Sequence, residues 1–513
     1  MTIYFYCIHD QFYVVRYFMS MSLRTRYERC STPSAKQCFV VSSVILNMIS
    51  YGLTTGYNAT LFSELRKTRE IALDIHSESW LASMMGITLF VGSVIGSLVM
   101  ETIGRRSAVL MSSIFMICGW TSFSFASSFP VLFIAKLFQG ISAGIGTNVG
   151  SILIAEYSSP KYRGSFIATI PTGLLLGIFI SHTFGMFYGW HQLCIILLFF
   201  SLPGLIAIVF SPESPSFLVT KGRYDECRKI FRWLRGTDED DELETMIKTN
   251  MILQETKKVE FCNVSKLIQN KLAYGVTAFK KKEFRIPVLI MMHLSAIMQF
   301  SGSLVCDMYA LDVHTALYGT DVYMFKVMTS LDVLRLVATV SAVYITSRVR
   351  RRSMLLVFVS LNIVTDLCIA GHVYARQHGL LPFDHWAISL FLHHFLYFII
   401  GTGSMPLAII IGGEIFPLAD RGFCSVISRI FCSVYMFVNI KSAPYLFSSV
   451  GVDGAFSLYA LIHSYSLIVT LILLPETKDK TLERIEDEFR GHTIANHEEA
   501  FEMKDYDVRD DGD

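Results

Sequence analysis

Two distant stretches of this chain are versions of one another, and that repetition narrows the available folds more than any other feature. Glu156, Arg163 and Gly164 recur at the same spacing as Glu414, Arg421 and Gly422, each set placed where a long apolar segment ends. Pro212-Glu213-Ser214 follows the first set and Pro475-Glu476-Thr477 follows the second. Gly104-Arg105-Arg106 precedes the first, and Arg350-Arg351-Arg352 precedes the second. Three motifs in one order, twice, describe an internally duplicated chain with parallel halves.

Composition says what kind of chain is duplicated. With 52% hydrophobic and 17% charged residues and a mean hydropathy of +0.46, it is too apolar for a soluble globular protein of 513 residues. A helix needs about 20 apolar residues to cross a bilayer core of roughly 30 Å. Candidate spans lie near 38–60, 79–100, 107–128, 130–155, 165–188 and 191–210, then near 287–312, 322–346, 353–374, 384–412, 424–447 and 452–474. Backbone polar groups must be satisfied inside lipid, so the spans are helices. The reading is an all-α membrane protein of twelve transmembrane helices in two six-helix halves, 38–211 and 287–474. Parallel halves of this kind build one large class of secondary transporters.

Basic residues set the orientation. Arg105, Arg106, Lys161, Arg163, Arg348, Arg350, Arg351, Arg352 and Arg421 fall in alternate loops, which places those loops and both termini in the cytoplasm. The segment 212–286 reads as a cytoplasmic helical linker, with Phe231, Leu234, Leu243 and Ile247 on its buried stripe. Residues 1–37 form a cytoplasmic N-terminal segment and 475–513 an acidic tail, with Thr481 as a helix cap. Met19 and Met21 are alternative starts. The plasma membrane is the expected location and the lipid bilayer the obligate partner.

A net charge of +1 gives no reason to expect nucleic acid as a partner. Eleven cysteines without paired spacing read as small buried hydrophobes rather than disulfides or a zinc site. His182, His293, His393, His394 and His463 have no ligand spacing, and each reads as a hydrogen-bonded interior residue. No nucleophile elbow, phosphate loop or catalytic carboxylate pair is present, so an enzyme is not expected, nor is a metal or cofactor.

Taken together the motifs resemble the sugar porter family of the major facilitator superfamily, from about Gly52 to Glu488. Ser79-Trp80 and Pro171-Thr172 look most like its insect facilitated trehalose transporter branch. The charged motifs then imply a latch at the inner membrane surface. Glu156, Glu213, Glu414 and Glu476 would face Arg105, Arg163, Arg421 and Arg429 and hold the halves together when that side is closed, with Arg106 a further member of the gating set. Exposed pairs contribute only about 0–1 kcal/mol each, which suits a gate that must break repeatedly.

The resemblance also implies a sugar or small polyol as substrate, bound near the midplane between the halves. The family's seventh-span motif corresponds to Met298-Gln299-Phe300-Ser301-Gly302-Ser303-Leu304, ending at Tyr309. Met298 and Leu304 replace an amide each, removing several possible bonds to a polyol. In the tenth span Ala408 replaces a proline, and Ile409 stands where a tryptophan usually packs on the sugar. Thr172, Ser303 and Asn439 complete the candidate binding set. Asn58 occupies the position that is aspartate in proton-coupled members and asparagine in passive ones, which implies facilitative transport. Lys136 replaces an arginine before the run Gly140, Gly144, Gly146 and Gly150, where small residues let helices approach closely.

Ionisable groups inside the membrane suggest function. Asp332 and Arg335, one helical turn apart, neutralise each other on one face in the simpler reading, with contact to a cavity as the alternative. Asp307 has no local partner and is a candidate specificity determinant. Two other functions therefore stay open: a non-transporting nutrient receptor, favoured by Met298, Leu304 and Ile409, and a carrier of a less hydroxylated or cationic substrate, with Asp307 as counter-charge.

Overall fold

The computed structural model describes residues 32–257, 279–319, 324–381, 385–416, 421–478, 480 and 482–490. The expectations for most of the N-terminal segment, the Thr481 cap and the acidic end of the tail lie outside them. The first half is six long helices: α1 (Pro33–Thr68), α2 (Ile75–Thr102), α3 (Arg105–Ser124), α4 (Phe129–Tyr157), α5 (Pro160–Gly185) and α6 (Trp190–Phe210). The α1 helix begins before residue 38 because Thr32 caps it, accepting from the Ala35 N–H, and Pro33 suits the first turn.

Three short helices follow, α7 (Pro215–Thr220), α8 (Tyr224–Arg235) and α9 (Asp240–Lys257). Phe231, Leu234, Leu243 and Ile247 are all buried, in one apolar cluster with Val40, Val44, Ile154 and Ile208 of the first half. The linker helices are thus docked on α1, α4 and α6 rather than extended.

The second half departs from uninterrupted spans in three places. Its first span is broken into α10 (Lys282–Gln299), α11 (Ser303–Met308) and α12 (Ala310–Tyr318). Then come α13 (Met324–Arg348), α14 (Arg351–Gln377), and α15 (Trp386–Ile399), which runs through a π-helical turn at Ile400–Ser404 into α16 (Met405–Ile415). The last two spans form one element, α17 (Arg421–Leu473), kinked at Gly451 with φ +76°. A final helix, α18 (Leu482–Arg490), closes the described chain.

Among the described residues, ten helical stretches are long and apolar enough to cross a membrane. Dividing α17 at Gly451 and adding the interrupted α10–α12 span accounts for twelve.

Backbone approach sets the helix packing inside the first half. A Cβ on Gly52 would sit 2.0 Å from the Leu174 carbonyl oxygen, and one on Gly177 would sit 2.1 Å from that of Ile49. The α1 and α5 backbones therefore touch. Gly144 does the same for α4 on α2, where a Cβ would meet the Leu89 carbonyl at 2.2 Å, and Gly140 makes room for the Thr88 side chain, whose Oγ1 would lie 1.7 Å from a Cβ. Gly52→Ala should force the α1–α5 pair apart, with overpacking costs of about 1–3 kcal/mol or more. Gly371→Ala, where nothing lies within 4 Å of the new methyl, should change little. Thermal melts of the two purified variants test this, and equal melting points would contradict the close approach.

Candidate functional site

The bundle has two ends. One carries the duplicated charged motifs and is called here the motif end; the loops 69–74, 186–189 and the Gly451 kink mark the opposite end. At the motif end each half builds the same network. Arg105 Nε lies 3.2 Å from Glu156 Oε2, joining α3 to α4, and Arg351 Nη2 lies 3.0 Å from Glu414 Oε1, joining α14 to α16.

Glu213 accepts from the Arg106 backbone N–H at 3.0 Å. Glu476 accepts from the N–H groups of Arg351 at 2.9 Å and Arg352 at 3.2 Å. Both carboxylates thus sit at a helix N-terminus, where unpaired N–H groups and the helix dipole favour an anion. The Ser214 hydroxyl donates to Glu156, and the Thr477 hydroxyl donates to Glu414 at 2.6 Å. Burial pushes the Glu213 carboxyl above its usual range despite these N–H bonds. Burial also acts upward on Glu476, but N–H bonds from Lys478, Arg351 and Arg352 outweigh it and leave its pKa lowered.

This arrangement keeps the Arg105–Glu156 contact of the expected set and adds Arg351 to it. These acids are joined to basic residues of their own half, because each Arg opens the helix beside the helix end carrying its Glu. Arg351 is a partner of Glu414. The Arg421 side chain lies outside the described residues, and the buried Nε of Arg163 has no hydrogen-bond partner. Ser214 and Thr477 were missed as network members; their matching offsets beside Glu213 and Glu476 were the available signal.

Side-chain contacts between the halves cluster toward the opposite end. Lys441 Nζ donates to Ser79 Oγ at 2.8 Å and lies over the Trp80 ring. Arg66 bridges Glu78, at 2.6 Å, and Asp312 across the seam, at 2.8 Å. Asn58 is buried: its amide nitrogen lies 3.1 Å from Met308 Sδ, and its oxygen accepts from Lys136.

The candidate binding motif falls on the break between α10 and α11. Phe300–Gly302 leave the helix, with Gly302 at φ +85°, so the preceding carbonyls lose their usual partners. Asn439 donates to the Gln299 carbonyl at 2.6 Å, and His463 Nε2 lies 3.1 Å from that of Ile297. Asn439 is fully buried and acts as a cap for the break, which corrects its expected reach into a cavity. Discontinuous helices at the midplane are where carriers of this architecture form binding sites.

The remaining candidates are scattered around that break. The Gln299 amide nitrogen lies 2.9 Å from Cys432 Sγ. Met298 and Leu304 are half-buried against apolar clusters. Ser303 pairs with Ser301 at 3.1 Å. Tyr309 is buried and donates to the Ile440 carbonyl at 3.1 Å. Thr172 is exposed, and so is Ile409, at 62%.

Asp307 does have a partner, contrary to the local reading. Arg335 Nη2 lies 2.7 Å from Asp307 Oδ2, and the Tyr397 hydroxyl donates to Oδ1 at 2.8 Å. The Arg335 guanidinium also stacks over the Tyr397 ring at 4.1 Å. Asp332 lies 3.4 Å from Arg335 Nη1, and its other oxygen lies 2.5 Å from His182 Nδ1. The i, i+3 pair is therefore part of a buried cluster drawn from α5, α11, α13 and α15. A partner 28 positions away is invisible to a search for local pairs.

Comparison with known proteins agrees with this architecture. A family model described as "Sugar (and other) transporter" matches residues 39–489. The facilitated trehalose transporter Tret1 of Culex quinquefasciatus is 24% identical over 463 residues, covering 89% of this chain and 86% of the relative. The Tret1 of Apis mellifera ligustica is 25% identical, with 89% and 88% covered. Among solved structures, the inward open xylose transporter XylE from E. coli superimposes with a TM-score of 0.69 at 16% identity, covering 89% of this chain and 99% of that one. A proton:xylose symporter structure of the major facilitator superfamily gives 0.68 at 17%, covering 89% and 100%. With twelve spans in two halves and a family match over nearly its whole length, the chain belongs to the sugar (and other) transporter family, a family of transporters rather than enzymes.

Proposed function

We propose that the chain carries a neutral sugar or small polyol passively, by alternating opening of its two ends. The observation that carries this reading is the seam around Asn58. Its oxygen accepts from Lys136, so this seam position holds an amide where a coupled carrier would need a titrating carboxylate. A neutral substrate is favoured because Asp307 is engaged by Arg335 and Tyr397, which leaves it a poor counter-charge for a cation. The named relatives are trehalose transporters, so trehalose is the first substrate to try. The lysine and arginine bias of the motif-end loops supports a cytoplasmic motif end, both termini on that side, and the plasma membrane as the location.

The test is uptake of labelled trehalose and glucose into proteoliposomes. The interior should fill to the outside concentration and no further, with or without a protonophore. Accumulation above equilibrium that a protonophore collapses would overturn the passive reading. A second reading, a nutrient receptor, draws on the packing of Met298 and Leu304 into apolar clusters; ligand-induced thermal stabilisation without uptake would favour it.

A further inference from the structure

His182 of α5 and Asp332 of α13 belong to different halves, yet their side chains are 1% and 2% exposed and 2.5 Å apart. Behind Asp332 stand Arg335 and Asp307. Two carboxylates and one guanidinium leave this buried group with a net negative charge while the imidazole is neutral. A proton on His182 Nε2, which is buried and has no hydrogen-bond partner, brings the group to neutrality.

Among the described residues, Arg335 and His182 are the basic groups seen against Asp332. His314 of α12 and His393 of α15 lie near each other, with ring centroids 5.3 Å apart, and Tyr318 is bound to His393. Where α1 packs on α5 it presents Gly52, Gly56 and Thr60, with Glu64 beyond, near Gly189. The nearest cation on α4, Lys136, is held by Asn58. The neighbouring stretch of α6 brings His191, which faces Glu70 instead, and Cys194.

We propose that His182 is a proton-binding site that clasps the two halves at the opposite end. When that end opens, His182 leaves with the first half, while Asp307, Asp332 and Arg335 stay together in the second. Separating an imidazolium from Asp332 breaks a buried ion pair, whereas separating a neutral ring breaks only a hydrogen bond. Burying an unpaired Nε2–H opposes closure, but an uncompensated buried charge is the larger cost. Proton binding therefore favours the closed opposite end. The clasp therefore tightens on acidification and weakens as pH rises. This proposal rests on the alternating opening of the two ends proposed above and adds regulation by pH to it.

The test is a distance measurement by pulsed electron resonance on the full chain in lipid nanodiscs without substrate. Accessible cysteines are replaced by serine, and spin labels are placed at Lys67→Cys and Ser449→Cys. Acidification from pH 8 to 5.5 should raise the short-distance population, with a closed-to-open ratio changing by at most about tenfold per pH unit for one proton. His182→Gln should abolish the response, His182→Lys should be closed-rich at both pH values, and His314→Gln should respond like the parent. A parent protein whose distances do not move with pH overturns the proposal, as does a full response in His182→Gln or its loss in His314→Gln. Should His182→Gln not fold, the parent and His314→Gln arms decide. The readout needs no sugar, so its failure would leave the substrate reading standing.

Discussion

Arg335→Met is expected to be the most damaging single substitution in the membrane-embedded part of this protein. It leaves Asp307, 8% exposed, and Asp332, 1% exposed, without the guanidinium that bonds both. Breaking a buried pair by removing one partner costs about 3–5 kcal/mol. Asp307→Asn should cost less, because the amide oxygen still accepts from Arg335 and Asp332 remains as its counter-ion. The double variant Asp307→Leu/Arg335→Met should recover much of the loss, since a buried pair replaced by apolar groups is often near neutral. Asp332 then keeps His182 as its partner. Melting curves of Arg335→Met, Asp307→Leu and their double variant measure this coupling. If the two single costs simply added, within about 0.5 kcal/mol, the ion pair would not be what holds these helices.

What the sequence disclosed here was whatever is local. The two copies of the charged motif lie in continuous segments, so their repetition could be read directly and the twelve-span architecture followed. The partner choice within them could not. Glu414 is met by Arg351, 63 positions back, which the helix ends bring up. The long-range cluster around Arg335 was hidden for the same reason, since only its Asp332 member is a local neighbour.

The break in the first span of the second half had a partial signal in Gly302, whose φ of +85° suits glycine. Phe300 and Ser301 beside it carry no such mark, so the apolar count alone favoured one helix. The start of α1 was legible after all, in Thr32-Pro33, a cap followed by a first-turn proline. Counting apolar residues from Cys38 passed over it.

The break also gives the site its sharpest test, through Asn439→Leu. A regular helix would pair the carbonyls of Ile297 and Gln299 with N–H groups four residues on. Here the chain turns out of the helix before they can be reached, and α17 supplies the donors instead, Asn439 and His463. Leucine nearly matches asparagine in size but offers no donor, so the Gln299 carbonyl would be left buried and unpaired at about 1–3 kcal/mol. Part of that is offset, because the Asn439 oxygen is itself buried without a partner.

A coupling of about 1–3 kcal/mol corresponds to a 5- to 150-fold change in population, and the broken conformation should fall within that range. Uptake per folded molecule should drop about tenfold, chiefly in maximal rate. Asn439→Asp should be worse, because it places a carboxylate against a carbonyl oxygen. Ser448→Ala, an exposed change on the same helix, should behave as the parent. Uptake by Asn439→Leu at the parent rate, at matched amounts of folded protein, would mean that the break needs no cap and that the candidate site must be sought elsewhere on the seam.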